Sequence, residues 1–178
     1  MDRRNFLGVL GAGLIVGIAP ARADDTSQPA TPRTGDMTPI DKPKAEWKQL
    51  LEPERYEVLF KEATERAGTS PLNKEKRDGT YICAACYLPL FDARFKFESG
   101  TGWPSFYDTL PDAVDTKRDF KLVWPRTEYH CARCGGHQGH VFEDGPKPTG
   151  LRYCNNGLAL QFVPDLSLIH ISEPTRPY

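Results

Sequence analysis

With 178 residues, 39% of them hydrophobic and 26% charged, the chain suits one globular domain and is too rich in apolar residues to be disordered throughout. A formal net charge of −1 excludes the overall basic field that would draw it to nucleic acid or anionic lipid. Its 16 prolines and 15 glycines favour turns and short strands, and its five cysteines leave one over from any paired arrangement.

Residues 1–23 read as an export signal. Arg3 and Arg4 precede an apolar run from Phe6 to Ala19, and Ala21-Arg22-Ala23 has the small-x-small form of a cleavage site. The run is about 14 residues, short of the ~20 that span a bilayer, so no stable membrane association is expected. The arginine pair followed by Asn5-Phe6-Leu7 resembles the twin-arginine class of bacterial signals, which predicts a periplasmic protein exported already folded. Cleavage would leave a net charge of −3. Residues 24–42, rich in Asp, Thr, Pro, Ser and Gln, read as a flexible linker. At the other end, residues 165–178 resemble the translation of a sequencing-library adapter and read as a non-native tail, so no function is placed on His170.

The folded domain is therefore expected over residues 43–164. Lys44 to Leu51 and Pro53 to Ala67 suit two short helices, with Trp47, Leu50 and Leu51 on one face and Tyr56, Leu59, Phe60 and Ala63 on the other helix's face. Pro53 fits a first helical turn and Gly68 a helix end. Beyond Asp78-Gly79 come short apolar segments cut by Gly, Pro and Asp: Thr80-Tyr81-Ile82, Leu90-Phe91, Leu122-Val123-Trp124 and Leu158 to Val163. This pattern predicts a mainly β fold of antiparallel strands with an N-terminal helical flank.

Cys83-Ala84-Ala85-Cys86 and Cys131-Ala132-Arg133-Cys134 are two CxxC knuckles separated by 44 residues. Two intervening residues let both thiolates of a knuckle face one ion, and two knuckles complete a tetrahedral S₄ shell, so Cys83, Cys86, Cys131 and Cys134 are expected to bind a structural Zn²⁺. Such a shell leaves no open coordination position for catalysis. Two disulfides or a redox CxxC pair are the alternatives, the first favoured by export and answered by metal loading in the cytoplasm before folded export.

Cys154 stands apart, in Leu151-Arg152-Tyr153-Cys154-Asn155-Asn156. On a strand, Arg152, Cys154 and Asn156 share a face, and a cation beside a thiol favours the nucleophilic thiolate. His137, His140, Phe142 and Asp144 add imidazoles, an aromatic and a carboxylate, the parts of nucleophilic catalysis with proton transfer. On spacing alone, a lone cysteine is more often a small buried hydrophobe, and the histidines could equally support the metal site.

Three strings decide between these readings: Glu98-Ser99-Gly100-Thr101-Gly102-Trp103-Pro104-Ser105-Phe106, then Arg126-Thr127-Glu128 running through Cys131 to Gly145, then Gly150 to Asn156. Together with the knuckles they resemble the B-type methionine sulfoxide reductases, over about 110 residues. The resemblance implies a fold of two antiparallel β-sheets with short N-terminal helices, and an enzyme that reduces the R epimer of methionine sulfoxide, free or in proteins. It implies Cys154 as nucleophile, His140 and Asn156 as the residues that hold and protonate the sulfoxide oxygen, and Asp144 and His137 as their support. Trp103 would receive the substrate methyl group, Phe142 would add apolar lining, and Arg152 would activate Cys154. Many members carry a resolving cysteine where Thr101 stands, so the Cys154 sulfenic acid is expected to be reduced by an outside thiol, a thioredoxin-like protein or a small dithiol. A monomer is expected, with no nucleic-acid partner. A zinc-ribbon binding module and a CxxC thiol-disulfide oxidoreductase are the rival classes; the net charge opposes the first, and bound zinc would oppose the second.

Overall fold

The computed structural model describes residues 37–119 and 126–165. The export signal, residues 24–36 of the linker, the Leu122-Val123-Trp124 segment and nearly all of the proposed tail lie outside the described residues.

Two helices open the fold. In α1, Lys44–Leu50, only Trp47 is buried; its ring stacks on Phe60 with centroids 5.2 Å apart. Leu50, expected beside Trp47, is 65% exposed instead. The helix stops at Leu50, so it is the non-helical Leu51 that packs on the core. In α2, Pro53–Lys61, Pro53 occupies the first turn and Tyr56, Leu59 and Phe60 are buried as their spacing requires, together with Val58. This helix ends six residues short of the expected Ala67. Glu62 adopts a left-handed φ of 57°, and the Ala63 amide reaches back to the Glu57 carbonyl, closing the helix end. The freed chain then carries Glu65 to Gly157 and Leu158, whose amides both donate to its carboxylate.

The strands form two antiparallel sheets. In the smaller, β2 (Pro89–Asp92) and β9 (Leu160–Pro164) flank β1 (Gly79–Cys83). The larger runs β3 (Lys96–Phe97), β4 (Ser105–Phe106), β8 (Arg152–Asn155), β7 (His137–Phe142), β6 (Arg126–Cys131) and β5 (Val114–Asp119). Aromatic rings from both sheets meet in the core: Phe91 stacks on Phe106 at 4.1 Å, Tyr81 meets Phe106 edge-on at 4.9 Å, and Tyr129 abuts Phe91. Truncating such a buried ring typically costs about 3–5 kcal/mol, so these residues hold the sheets in register with one another. Ordered packing also reaches back beyond the expected start at residue 43. The Ile40 amide donates to the Arg133 carbonyl, and Met37 and Ile40 pack on the core.

The register of the larger sheet sets the site. Cys154 pairs with Ser105 of β4 on one side and with His140 of β7 on the other. Gly139 lies opposite Asn155, and the strands approach so closely there that a Cβ on Gly139 would collide with the Cys154 carbonyl oxygen.

Candidate active site and metal site

The two knuckles close in the same way. The Tyr87 amide donates to the Cys83 carbonyl and the Gly135 amide to the Cys131 carbonyl, with left-handed φ values of 61° and 68° at Tyr87 and Gly135. Gly135 adopts that conformation without steric cost, whereas Tyr87 is held in it by the turn. None of the five cysteines forms a disulfide, and the four knuckle sulfurs lie within 4.8 Å of one another. Four thiolates at ~2.3 Å from a central ion would stand about 3.8 Å apart, and the Cys83–Cys134 and Cys86–Cys131 sulfurs are separated by 3.7 and 3.5 Å. The cluster thus has the dimensions of a closed tetrahedral metal site. Hydrogen bonding within the group raises the Cys83 and Cys134 thiols and lowers Cys86 and Cys131.

A separate cavity of about 130 Å³ opens beside Cys154. It approaches the ~150 Å³ that admits a benzene-sized molecule, room for a methyl sulfoxide head. Trp103, His140, Phe142, Cys154 and Asn156 line it, along with Thr64, Arg126, Gly139 and Asn155. The Trp103 indole N–H is fixed on the Glu65 carbonyl at 3.1 Å. Arg152 lies opposite Phe142 on β7, its guanidinium 4.3 Å from the ring centroid, and forks onto both carboxylate oxygens of Asp144 at 2.8 and 2.9 Å. Neither residue lines the cavity, and the Arg152 guanidinium holds the Asp144 carboxyl below its usual range.

Burial pushes the Cys154 thiol above its ordinary value, and the charge of Arg152 opposes that rise without cancelling it. Arg152 thus favours the thiolate, desolvation outweighs it, and the resting side chain favours the thiol. Asn156 Oδ1 accepts from the Glu65 amide, and Nδ2 donates to the Gln138 carbonyl, which leaves one amide hydrogen for the cavity. His137 is buried and outside the cavity lining, with Nδ1 on Glu128 at 2.7 Å; burial depresses its pKa despite that carboxylate. Its ring meets that of His140 edge-on, with centroids 5.6 Å apart. His140 Nε2 contacts Asp119 at 2.9 Å.

Several residues that organise the site went unassigned in the sequence reading. Glu65 orders the approach to β9 and anchors Trp103; Asp119 and Glu128 each hold one histidine. The sequence does contain a signal for the last two. Lys117-x-Asp119 and Arg126-x-Glu128 carry opposite charges at alternate positions, the arrangement of cross-strand pairs. Gln138 joins the two sites: its side chain donates to the Cys83 sulfur at 3.6 Å, while its backbone carbonyl takes the amides of Asn156.

Comparison with known proteins gives a consistent picture. The SelR domain family matches residues 51–164. A peptide methionine sulfoxide reductase MsrB of Pseudomonas putida is 53% identical over 129 residues, 72% of this chain and 97% of that protein. One from Leptospira interrogans is 50% identical over 124 residues, covering 69% of this chain and 95% of its own. The crystal structure of the Mis18 'Yippee-like' domain overlays with a TM-score of 0.38 at 18% identity, covering 49% of this chain and 96% of that one, too loose a likeness to bear on function.

Proposed function

The chain belongs to the SelR-domain family, the B-type peptide methionine sulfoxide reductases, and from that premise we propose how it reduces its substrate. The R epimer of methionine sulfoxide, free or in a protein, enters the cavity with its methyl group against Trp103 and Phe142. The Cys154 sulfur attacks the sulfoxide sulfur and gives up its proton, which His140, helped by the remaining Asn156 amide hydrogen, delivers to the oxygen. The oxygen passes to Cys154 as a sulfenic acid and the thioether leaves as methionine, so the thiol is oxidised and the sulfoxide reduced. Two equivalents of an external thiol, or one dithiol, then return Cys154 to the thiol with loss of water as a disulfide forms on the donor.

The observation that carries this reading is the register that sets Cys154 directly across from His140 beside a cavity lined by two aromatic side chains. An aromatic face suits a methyl group on electron-poor sulfur, and lining of fixed shape discriminates between epimers. The resting preference for the thiol fits a nucleophile that gives up its proton only with substrate bound. His137 and Asp144 act at one remove, through His140 and Arg152. Zinc is the ion proposed for Cys83, Cys86, Cys131 and Cys134, where it would supply rigidity and leave the chemistry to Cys154. Export to the periplasm, a monomeric state and a thioredoxin-like or small dithiol reductant complete the proposal.

The test is an assay of separated R and S methionine sulfoxide with dithiothreitol, alongside Cys154→Ser. Turnover of R alone, lost in the variant, is expected. Turnover of S, or activity surviving in Cys154→Ser, would contradict the reading.

A further inference from the structure

The β5–β6 hairpin pairs Lys117 with Glu128 and Asp119 with Arg126 in register. Both couples are ion pairs, at 3.2 Å between Lys117 and Glu128 and 2.8 Å between Arg126 and Asp119. Each presents its carboxylate to one histidine of β7, but through different ring atoms: Glu128 meets His137 at Nδ1, and Asp119 meets His140 at Nε2. Of the two histidines only His140 lines the cavity. Asp119, 6% exposed, does not line it, so its carboxylate reaches the site only through its neighbours.

An imidazole has two nitrogens, and committing one fixes what the other can do. With Nε2–H held by Asp119, Nδ1 is the ring nitrogen left for chemistry. We propose that Asp119, pinned by Arg126, is a positioning residue that orients His140 through Nε2 and leaves Nδ1 to take the Cys154 thiol proton and pass it to the sulfoxide oxygen. The inference rests on His140 as proton donor. It adds a residue to the reaction and names the atom that works. Lys117, Glu128 and His137 form the parallel arrangement, in which the His137 ring backs that of His140.

A double-mutant cycle tests it, with kcat and KM for R methionine sulfoxide measured in Asp119→Ala, His140→Ala and the double variant. Asp119→Ala is expected to lower kcat on the order of 10-fold, part of the 10²–10⁴ that a placed proton donor contributes, with KM within about twofold. On the His140→Ala background the same substitution should change kcat by less than about twofold. Asp119→Asn, which keeps an acceptor for Nε2–H, should fall between the wild type and Asp119→Ala, and serves in both backgrounds if the alanine variant does not fold. Equal losses on both backgrounds, or an unchanged kcat in Asp119→Ala, would overturn the inference. A fully active His140→Ala would overturn it differently, by removing His140 as donor.

Discussion

Two short turns supply all four sulfurs of the metal site, whereas the cavity takes side chains from five separate stretches of chain: Thr64 after α2, Trp103 before β4, Arg126 of β6, residues 139–142 of β7 and residues 154–156 at β8. Each knuckle presets half of its cluster within four residues. The cavity residues of β6, β7 and β8 meet one another only when the six-stranded sheet is in register. A local site of this kind contributes binding free energy to folding, and a dispersed one depends on a fold already made. Gln138 is where the two meet, with its side chain on Cys83 and its carbonyl on Asn156.

The contrast breaks most visibly on metal removal. Apparent binding energies for structural zinc reach about 10–16 kcal/mol, at least as large as the ~5–15 kcal/mol that holds a domain folded. Chelation, or Cys83→Ala, is therefore expected to abolish the cooperative thermal transition followed by circular dichroism, and activity with it. Cys154→Ser should leave both the transition and the metal content unchanged. A melting curve insensitive to chelation would show that the cluster is not what holds the fold.

Gly139→Ala probes the reverse dependence, of the cavity on register. Its Cβ would meet the Cys154 carbonyl oxygen, backbone that cannot swing aside. A cost of roughly 1–3 kcal/mol in urea unfolding is expected from the overpacking, with a larger proportional loss of turnover because β7 and β8 carry both His140 and Cys154. Loss of stability without loss of turnover would contradict the reading that strand spacing aligns the pair.

The smallest effect concerns Cys154 itself. Because burial raises its pKa, the thiol form dominates at neutral pH, and alkylation by iodoacetamide should accelerate as pH climbs beyond the ordinary thiol range rather than levelling off near pH 7. Removing the opposing cation in Arg152→Met should move that rise to still higher pH. A plateau near neutrality would mean that Arg152 outweighs desolvation. The sign carries to stability: a group whose folded pKa is raised favours folding at pH below its unfolded value, and that contribution is lost as pH rises through the folded value.

How far the sequence reveals each region follows from the same contrast. CxxC spacing predicts the cluster because the relevant geometry is local, and the two-sheet fold follows from the segment pattern together with the family resemblance. The cavity is different: Cys154, His140 and Trp103 are identified by resemblance, while Glu65, Asp119 and Glu128 act through contacts 9 to 92 residues away in the chain. Helix periodicity likewise finds the inward face of α2 but not its end, because the turn at Glu62 serves the approach of Glu65 to Gly157. Leu50 has the right spacing for burial yet is exposed, while Leu51, just past the end of α1, packs on the core.

The central claim is a division of labour: Cys154 performs the chemistry and the knuckle cysteines hold the structure. A single turnover without reductant tests it most directly. Reduced, metal-loaded protein is mixed with excess R methionine sulfoxide, methionine is counted, the metal is assayed, and the cysteines are mapped by mass spectrometry after trapping with dimedone. One methionine per chain, a dimedone adduct confined to Cys154 and full retention of the metal are predicted. A disulfide joining Cys154 to a knuckle cysteine, with release of the metal, would contradict it.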